Sequence, residues 1–162
     1  MKDNFQAVFH AIEENSHGAY RIVNNLAQHE EGDYLLQFDI DSANGKTIDM
    51  PPVFQDVMRD LLANARKYTS PGGKITGGLY QDQKGLTFVV QDSGYGILPE
   101  EIERVISFGG RGTNNQGRPT RGGGFGLTKA YYITKSFGGR MFIDSPVENN
   151  RGTRIKITLP VA

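Results

Sequence analysis

Asp60, Asn64 and Lys67 are spaced to share one edge of a helix, and Asp92 and two clusters of glycine follow them along the chain. An asparagine carbonyl is a neutral, hard oxygen suited to Mg²⁺, which keeps several waters and takes phosphate oxygens; a nearby lysine adds a point charge for those phosphates. Asp60, one turn before Asn64, is placed to orient or deprotonate a nucleophile. Asp92, at the end of a strand, offers an acceptor for an exocyclic amine such as that of adenine. In Asp92-Ser93-Gly94-Tyr95-Gly96-Ile97 the glycines permit positive φ or close approach of backbone to a ligand. Gly122-Gly123-Gly124-Phe125-Gly126-Leu127 can wrap phosphates and hand them to a helix N-terminus, where backbone donors and the helix dipole favour anions. Each feature alone has a plainer reading, as a solvated stripe, a turn or a hinge. In this order they read as a nucleotide site.

The elements that must position these groups follow from periodicity and punctuation. Pro51 and Pro52 open a helix expected to run to Tyr68, and Pro71-Gly72-Gly73 stops it. At 100° per residue Asp56, Asn64 and Lys67 fall within about 40° of Asp60, while Val57, Leu61, Phe54, Ala65, Met58 and Leu62 spread over roughly 60° to 200°. One side is core, and the adjacent edge is polar. Strands are expected over Tyr34 to Ile40, Lys74 to Tyr80, Leu86 to Val90, Met141 to Asp144 and Thr153 to Leu159. Helices are expected over Pro99 to Ile106 and Phe125 to Phe137. Near the start, Phe5, Val8, Phe9 and Ile12 share a helical face, and Ala19, Ile22, Val23 and Leu26 continue it after Asn15-Ser16-His17-Gly18, as one kinked helix or two short ones. Residues 1–33 thus read as a helical segment packed on, or leading into, a domain at 34–162. The expected fold is an α/β (α+β) two-layer sandwich, a mixed and mainly antiparallel sheet covered on one face by helices.

Composition narrows the classes. The 162 residues suit one core. Lys+Arg and Asp+Glu both number 18, so no overall field recommends nucleic acid or an anionic membrane as partner. The absence of cysteine removes disulfides, thiolate metal sites and a cysteine nucleophile. No apolar run reaches the length of a membrane span, and the charged start Met1-Lys2-Asp3 does not read as a secretory leader.

From about Pro51 to Pro160 the chain resembles the catalytic, ATP-binding domain of sensor histidine kinases. Asp60-Leu61-Leu62-Ala63-Asn64-Ala65-Arg66-Lys67-Tyr68-Thr69 is similar to that family's asparagine-bearing box, Asp92 to Ile97 to its first glycine box and Gly122 to Leu127 to its second. Gly152-Thr153 and Thr158-Leu159-Pro160 resemble its end. The resemblance implies the Bergerat ATP-binding fold, shared with gyrase-type ATPases, Hsp90-type chaperones and mitochondrial-type protein kinases, with ATP and Mg²⁺ as cofactors. It implies that Asn64 holds Mg²⁺, Lys67 a phosphate, Tyr68 lies against adenine and Asp92 accepts from the adenine amine. Gly94, Gly96, Ile97, Gly122, Gly123, Gly124, Phe125, Gly126 and Leu127 would line the pocket, and Thr153 would support adenine recognition. Residues 107–123 would form the ATP lid, with Phe108 before it and Arg111, Arg118 or Arg121 reaching the γ-phosphate.

One departure bears on mechanism. This family usually carries glutamate where this chain has Asp60, one methylene shorter. Hydrolysis would suffer most, since water must be oriented and deprotonated, whereas neutral imidazole already presents a lone pair. The resemblance therefore implies phosphoryl transfer from Mg-ATP to a histidine on a separate helical domain, in the same longer chain or in another, and onward to a response regulator. It further implies a cytoplasmic setting, free or as the cytoplasmic part of a membrane-bound sensor. A serine protein kinase of the same fold and an ATP-gated binding module without turnover are the alternatives. His10, His17 and His29 each read as surface or packing residues, and none is assigned as the acceptor.

Overall fold

In the computed structural model, residues 10–11, 13–19, 21–45, 47–106 and 124–161 are described. Six strands form a single sheet in the order β1-β2-β3-β4-β6-β5. These are β1 (Ile22–Val23), β2 (Tyr34–Ser42), β3 (Lys74–Gln81), β4 (Gly85–Asp92), β5 (Arg140–Asp144) and β6 (Thr153–Pro160). The first three pair in parallel and the others antiparallel. Parallel neighbours need a crossover, and between β2 and β3 it is α1 (Pro52–Tyr68). Among the described residues, α2 (Pro99–Ile106) and α3 (Gly124–Ser136) join α1 in the helical layer.

Why α1 forms is visible in its sequence. Pro52 occupies a first-turn position where its missing N–H costs nothing. Phe54, Val57, Met58, Leu61, Leu62 and Ala65 are all buried, as their angular spread requires. Thr69 ends the helix, its N–H bonded to Arg66 O and its hydroxyl donating to Ala65 O at 2.7 Å. Against that face the strands present alternate residues, Ile75 and Leu79 from β3, Leu86, Phe88 and Val90 from β4, Ile155, Ile157 and Leu159 from β6. The alternation carries one more residue along β4 to Asp92, which puts a carboxylate on the helix side of the sheet.

The start of the chain departs from expectation. Residues 10–11 and 13–15 are helical, but the helix expected over Ala19 to Leu26 is absent. His17 and Gly18 take left-handed φ of 53° and 81°, which ends the helix. Glu13 then accepts from the Ile22 N–H at 2.7 Å, and Arg21 forks onto the Asp33 carboxylate at 3.1 and 2.7 Å. The β-branched Ile22 and Val23 are drawn into the sheet beside Tyr34 and Leu35, and Leu26, expected on the apolar face, is 67% exposed. The sheet therefore begins at Ile22, ahead of the boundary expected at Tyr34. Phe5, Val8, Phe9 and Ile12 lie outside the described residues. No helix among the described residues is long and apolar enough to cross a membrane.

Candidate functional site

Three chain segments converge where α1 ends. The first is the polar edge of α1, with Asp60, Asn64, Lys67 and Tyr68 in successive turns. Next comes the glycine turn leaving β4. Its Gly94 N–H donates to the Asp92 carboxylate at 2.9 Å, and the Tyr95 N–H reaches Tyr68 O at 3.2 Å, binding the turn to the end of the helix. The third is the start of α3, where Gly126 lies so close that a Cβ on it would stand 2.7 Å from Asn64 Nδ2. A side chain there would displace the asparagine, so glycine lets the two helices meet at that point.

Asp92 is the electrostatic centre of the site. Only 9% exposed, it pairs across the sheet with Thr153, itself buried. Burial raises its pKa to about 6, and hydrogen bonds from the backbone of Gly94 and Thr153 pull in the opposite direction. A carboxylate this buried keeps acceptor capacity beyond those two bonds, which an amine-bearing ring could use. Nearby, the Tyr68 hydroxyl and Asn64 Nδ2 are buried with no hydrogen-bond partner. Burial first, and the charge of Glu101 second, raise the Tyr68 pKa. Unpaired buried groups are costly, and two of them lining one helix edge next to a glycine turn fit a polar ligand that supplies the missing partners. With Nδ2 facing Gly126, the Asn64 carbonyl oxygen is the hard donor a magnesium ion would take.

Ser145 had no signal in the sequence, yet it ties the turn together. Its hydroxyl accepts from the Ile97 N–H at 2.8 Å and donates to Gly152 O at 2.9 Å. Gly152, at φ 85°, donates its N–H to Gly94 O at 2.8 Å, and a Cβ there would stand 2.5 Å from Asp92 O. Ser145→Ala should leave the Ile97 N–H and Gly152 carbonyl short of a partner, lowering stability by about 1–2 kcal/mol in urea denaturation. Lys129 was also missed; it pairs with Asp60 at 3.1 Å. Lys129 meets Asp60, and Ser145 meets Ile97, across long stretches of chain, so no local pattern announces either contact.

The other expected residues are placed as follows. Lys67 is exposed, its ammonium 5.9 Å from the Tyr68 ring centroid. Gly96, at φ 85°, faces Ser145, and Ile97 packs at the border of the core. Leu127 is itself a core residue, anchoring the first turn of α3. Gly124 and Phe125 begin α3. Phe108, Arg111, Arg118, Arg121, Gly122 and Gly123, with the rest of residues 107–123, lie outside the described residues. A cavity of about 530 Å³ lined by Thr69 to Lys74, Asp92 to Tyr95 and Arg151 includes neither Asn64 nor Gly126. The convergence of the three segments, rather than that cavity, therefore defines the candidate site.

Comparison with known proteins identifies the family. Residues 49–162 match the family described as histidine kinase-, DNA gyrase B-, and HSP90-like ATPase. The sensor histidine kinase Hik2 of Thermosynechococcus vestitus is 33% identical over 128 residues, covering 72% of this chain and 33% of that protein. RppB of Synechocystis sp., also a sensor histidine kinase, is 31% identical over 105 residues, covering 65% of this chain and 23% of its own length. The chain thus spans no more than a third of these curated relatives. A solved catalytic domain of the histidine kinase ThkA superposes with a TM-score of 0.61 over 98% of this chain and 90% of that one, at 18% identity, a likeness of fold. With most of its length matched, the chain belongs to the histidine kinase-, DNA gyrase B- and HSP90-like ATPase family, and within it carries an ATP-binding domain of the sensor histidine kinase kind.

Proposed function

We propose that this domain binds Mg-ATP and transfers the γ-phosphoryl group to a histidine on a separate helical domain, from which a response regulator takes it. The observation that carries the proposal is the convergence on one helix edge of Gly126, which meets Asn64, and of the turn after the buried Asp92, which bonds to Tyr68. The naming of relatives as sensor histidine kinases points the same way. We assign this activity to the domain at 34–162, to whose sheet β1 adds a strand.

In this reading Asp92 accepts from the adenine amine, with Thr153 behind it. Tyr68 lies along the base, and the glycine turns at Gly94, Gly96, Gly124 and Gly126 let backbone approach the ligand. Asn64 would hold the metal through its side-chain oxygen, while Lys67 would add charge for the phosphates. Bound Mg²⁺ would neutralise charge that develops on the phosphates. One of Arg111, Arg118 and Arg121, outside the described residues, would supply the charge for the γ-phosphate, and the α3 N-terminus favours the anion.

The histidines of the described residues support an acceptor elsewhere. His10 pairs with Glu14 at 3.3 Å, the His29 ring meets Asp33 O at 3.0 Å, and His17 sits in a left-handed turn. Asp60, short and engaged by Lys129, is poorly placed to activate water, which favours transfer over hydrolysis. The setting is cytoplasmic, where ATP is abundant.

Incubation with Mg-ATP labelled at the γ-position and a two-helix acceptor domain bearing a histidine should give acid-labile protein phosphate. Acid-stable product, or free phosphate alone, would overturn the assignment.

A further inference from the structure

Asp60 and Lys129 lie 69 residues apart in sequence, on different helices, yet their side chains meet at 3.1 Å. Asp60 precedes Asn64 by one turn of α1, and Lys129 follows Gly126 by about one turn of α3. The two contacts, Asp60 with Lys129 and Asn64 with Gly126, are therefore successive rungs between the same pair of helices. The start of α3 needs such support. Gly124 and Gly126 fall in its first turn, where each glycine is worse than alanine for helix formation, so local propensity alone holds that turn weakly. Leu127 anchors the turn to the core from one side. Lys129 reaches α1 from the other, at its polar edge.

We infer that Lys129 is a positioning residue. Through Asp60 it clamps the glycine-rich start of α3 against the Asn64 edge of α1, and so prolongs the residence of the bound nucleotide. The inference rests on the nucleotide reading of the site. It assigns Asp60 a second task, as the anchor of a tertiary ion pair. Both partners are about half exposed, with side chains 51% and 41% accessible, so the clamp is modest in strength and sensitive to salt.

The test is stopped-flow release of an ATP analogue with a fluorescent ribose label, in Mg²⁺, from the whole chain. Wild type, Lys129→Ala, Asp60→Asn, the double variant and the exchange Asp60→Lys/Lys129→Asp would be compared, with thermal melts confirming that each is folded. Lys129→Ala and Asp60→Asn should each speed release by about two- to fivefold at low salt. The double variant should release no faster than either alone, the exchange should return the rate toward wild type, and Lys129→Arg should retain it. Near 1 M salt the single variants and wild type should converge. A purely structural lysine would shift the melt without this coupling. Additive effects in the double variant, together with no recovery in the exchange or in Lys129→Arg, would overturn the clamp. Failure of the wild type to bind the analogue at all would instead strike the nucleotide reading on which the clamp depends.

Discussion

Asp92→Asn is expected to raise the stability of the nucleotide-free domain and to weaken ATP binding by at least about 100-fold. Both effects come from one carboxylate. Its pKa is raised from 3.8 to about 6 by burial, so the folded state holds the proton more tightly than the unfolded chain. Where the folded state binds more protons, stability falls as pH rises, here between about pH 4 and 6. Above that window the ionised group burdens the fold by about 3 kcal/mol, the free-energy equivalent of the shift. An asparagine is neutral and can still accept from the Gly94 N–H, so it recovers part of that penalty, and the midpoint should rise by a few degrees in a thermal melt. What it loses is the second anionic acceptor lobe that would meet the adenine amine, and its NH₂ would confront that amine donor to donor. The same shift predicts that wild-type affinity declines as pH falls below about 6, where protonated Asp92 ceases to be a pure acceptor. A melt lowered by Asp92→Asn, or affinity flat from pH 7.5 to 5, would contradict this account. A site that carries a charge its own fold disfavours is the pattern expected where function outweighs stability.

Gly94→Ala should be the most damaging single methyl in the glycine turns. A Cβ at this position would stand 2.3 Å from Tyr68 O and 2.8 Å from Tyr68 C, which are backbone atoms at the end of α1. No rotamer relieves such a contact. The turn is also held on both sides, by Tyr95 N–H to Tyr68 O at 3.2 Å and by Gly152 N–H to Gly94 O at 2.8 Å. Moving it away from the helix strains those bonds and the Asp92 contact together. The expected cost is about 2–4 kcal/mol in urea denaturation. ATP affinity should fall at least about tenfold even under conditions where the variant is folded, because the turn that follows Asp92 would no longer be held against the end of α1. A variant with wild-type stability and affinity would show that the close approach of turn and helix has no part in the site.

How far the sequence disclosed this arrangement depends on the range of the interactions involved. Helix α1 was legible because Pro51 and Pro52 open it, six apolar positions share a face, and Pro71-Gly72-Gly73 close it. The later strands were legible because alternation and glycine punctuation are local, and the structure extends them by one or two residues at their ends. The same alternation, carried on to Asp92 by the longer β4, puts its carboxylate on the helix side of the sheet. The start of the chain was misread. Ala19, Ile22, Val23 and Leu26 mimic a helical period, but Ile22 and Val23 are fixed by pairing with Tyr34 and Leu35, and Arg21 by Asp33. Such pairing leaves no local pattern. Lys129 and Ser145 escaped notice for the same cause, since each acts only once distant segments have been folded onto it. The candidate ligands were thus readable from type and spacing, whereas the groups that hold them in place were not.

The central claim is that Mg-ATP is held between the polar edge of α1, the turn after Asp92 and the glycine-rich start of α3. Titration calorimetry with a non-hydrolysable ATP analogue, in the presence and absence of Mg²⁺, tests it most directly. The account predicts saturable binding by the wild-type chain, near-complete loss in Asp92→Ala, and loss of the magnesium-dependent increment in Asn64→Ala. No binding by the wild type, or unchanged isotherms in both variants, would contradict it.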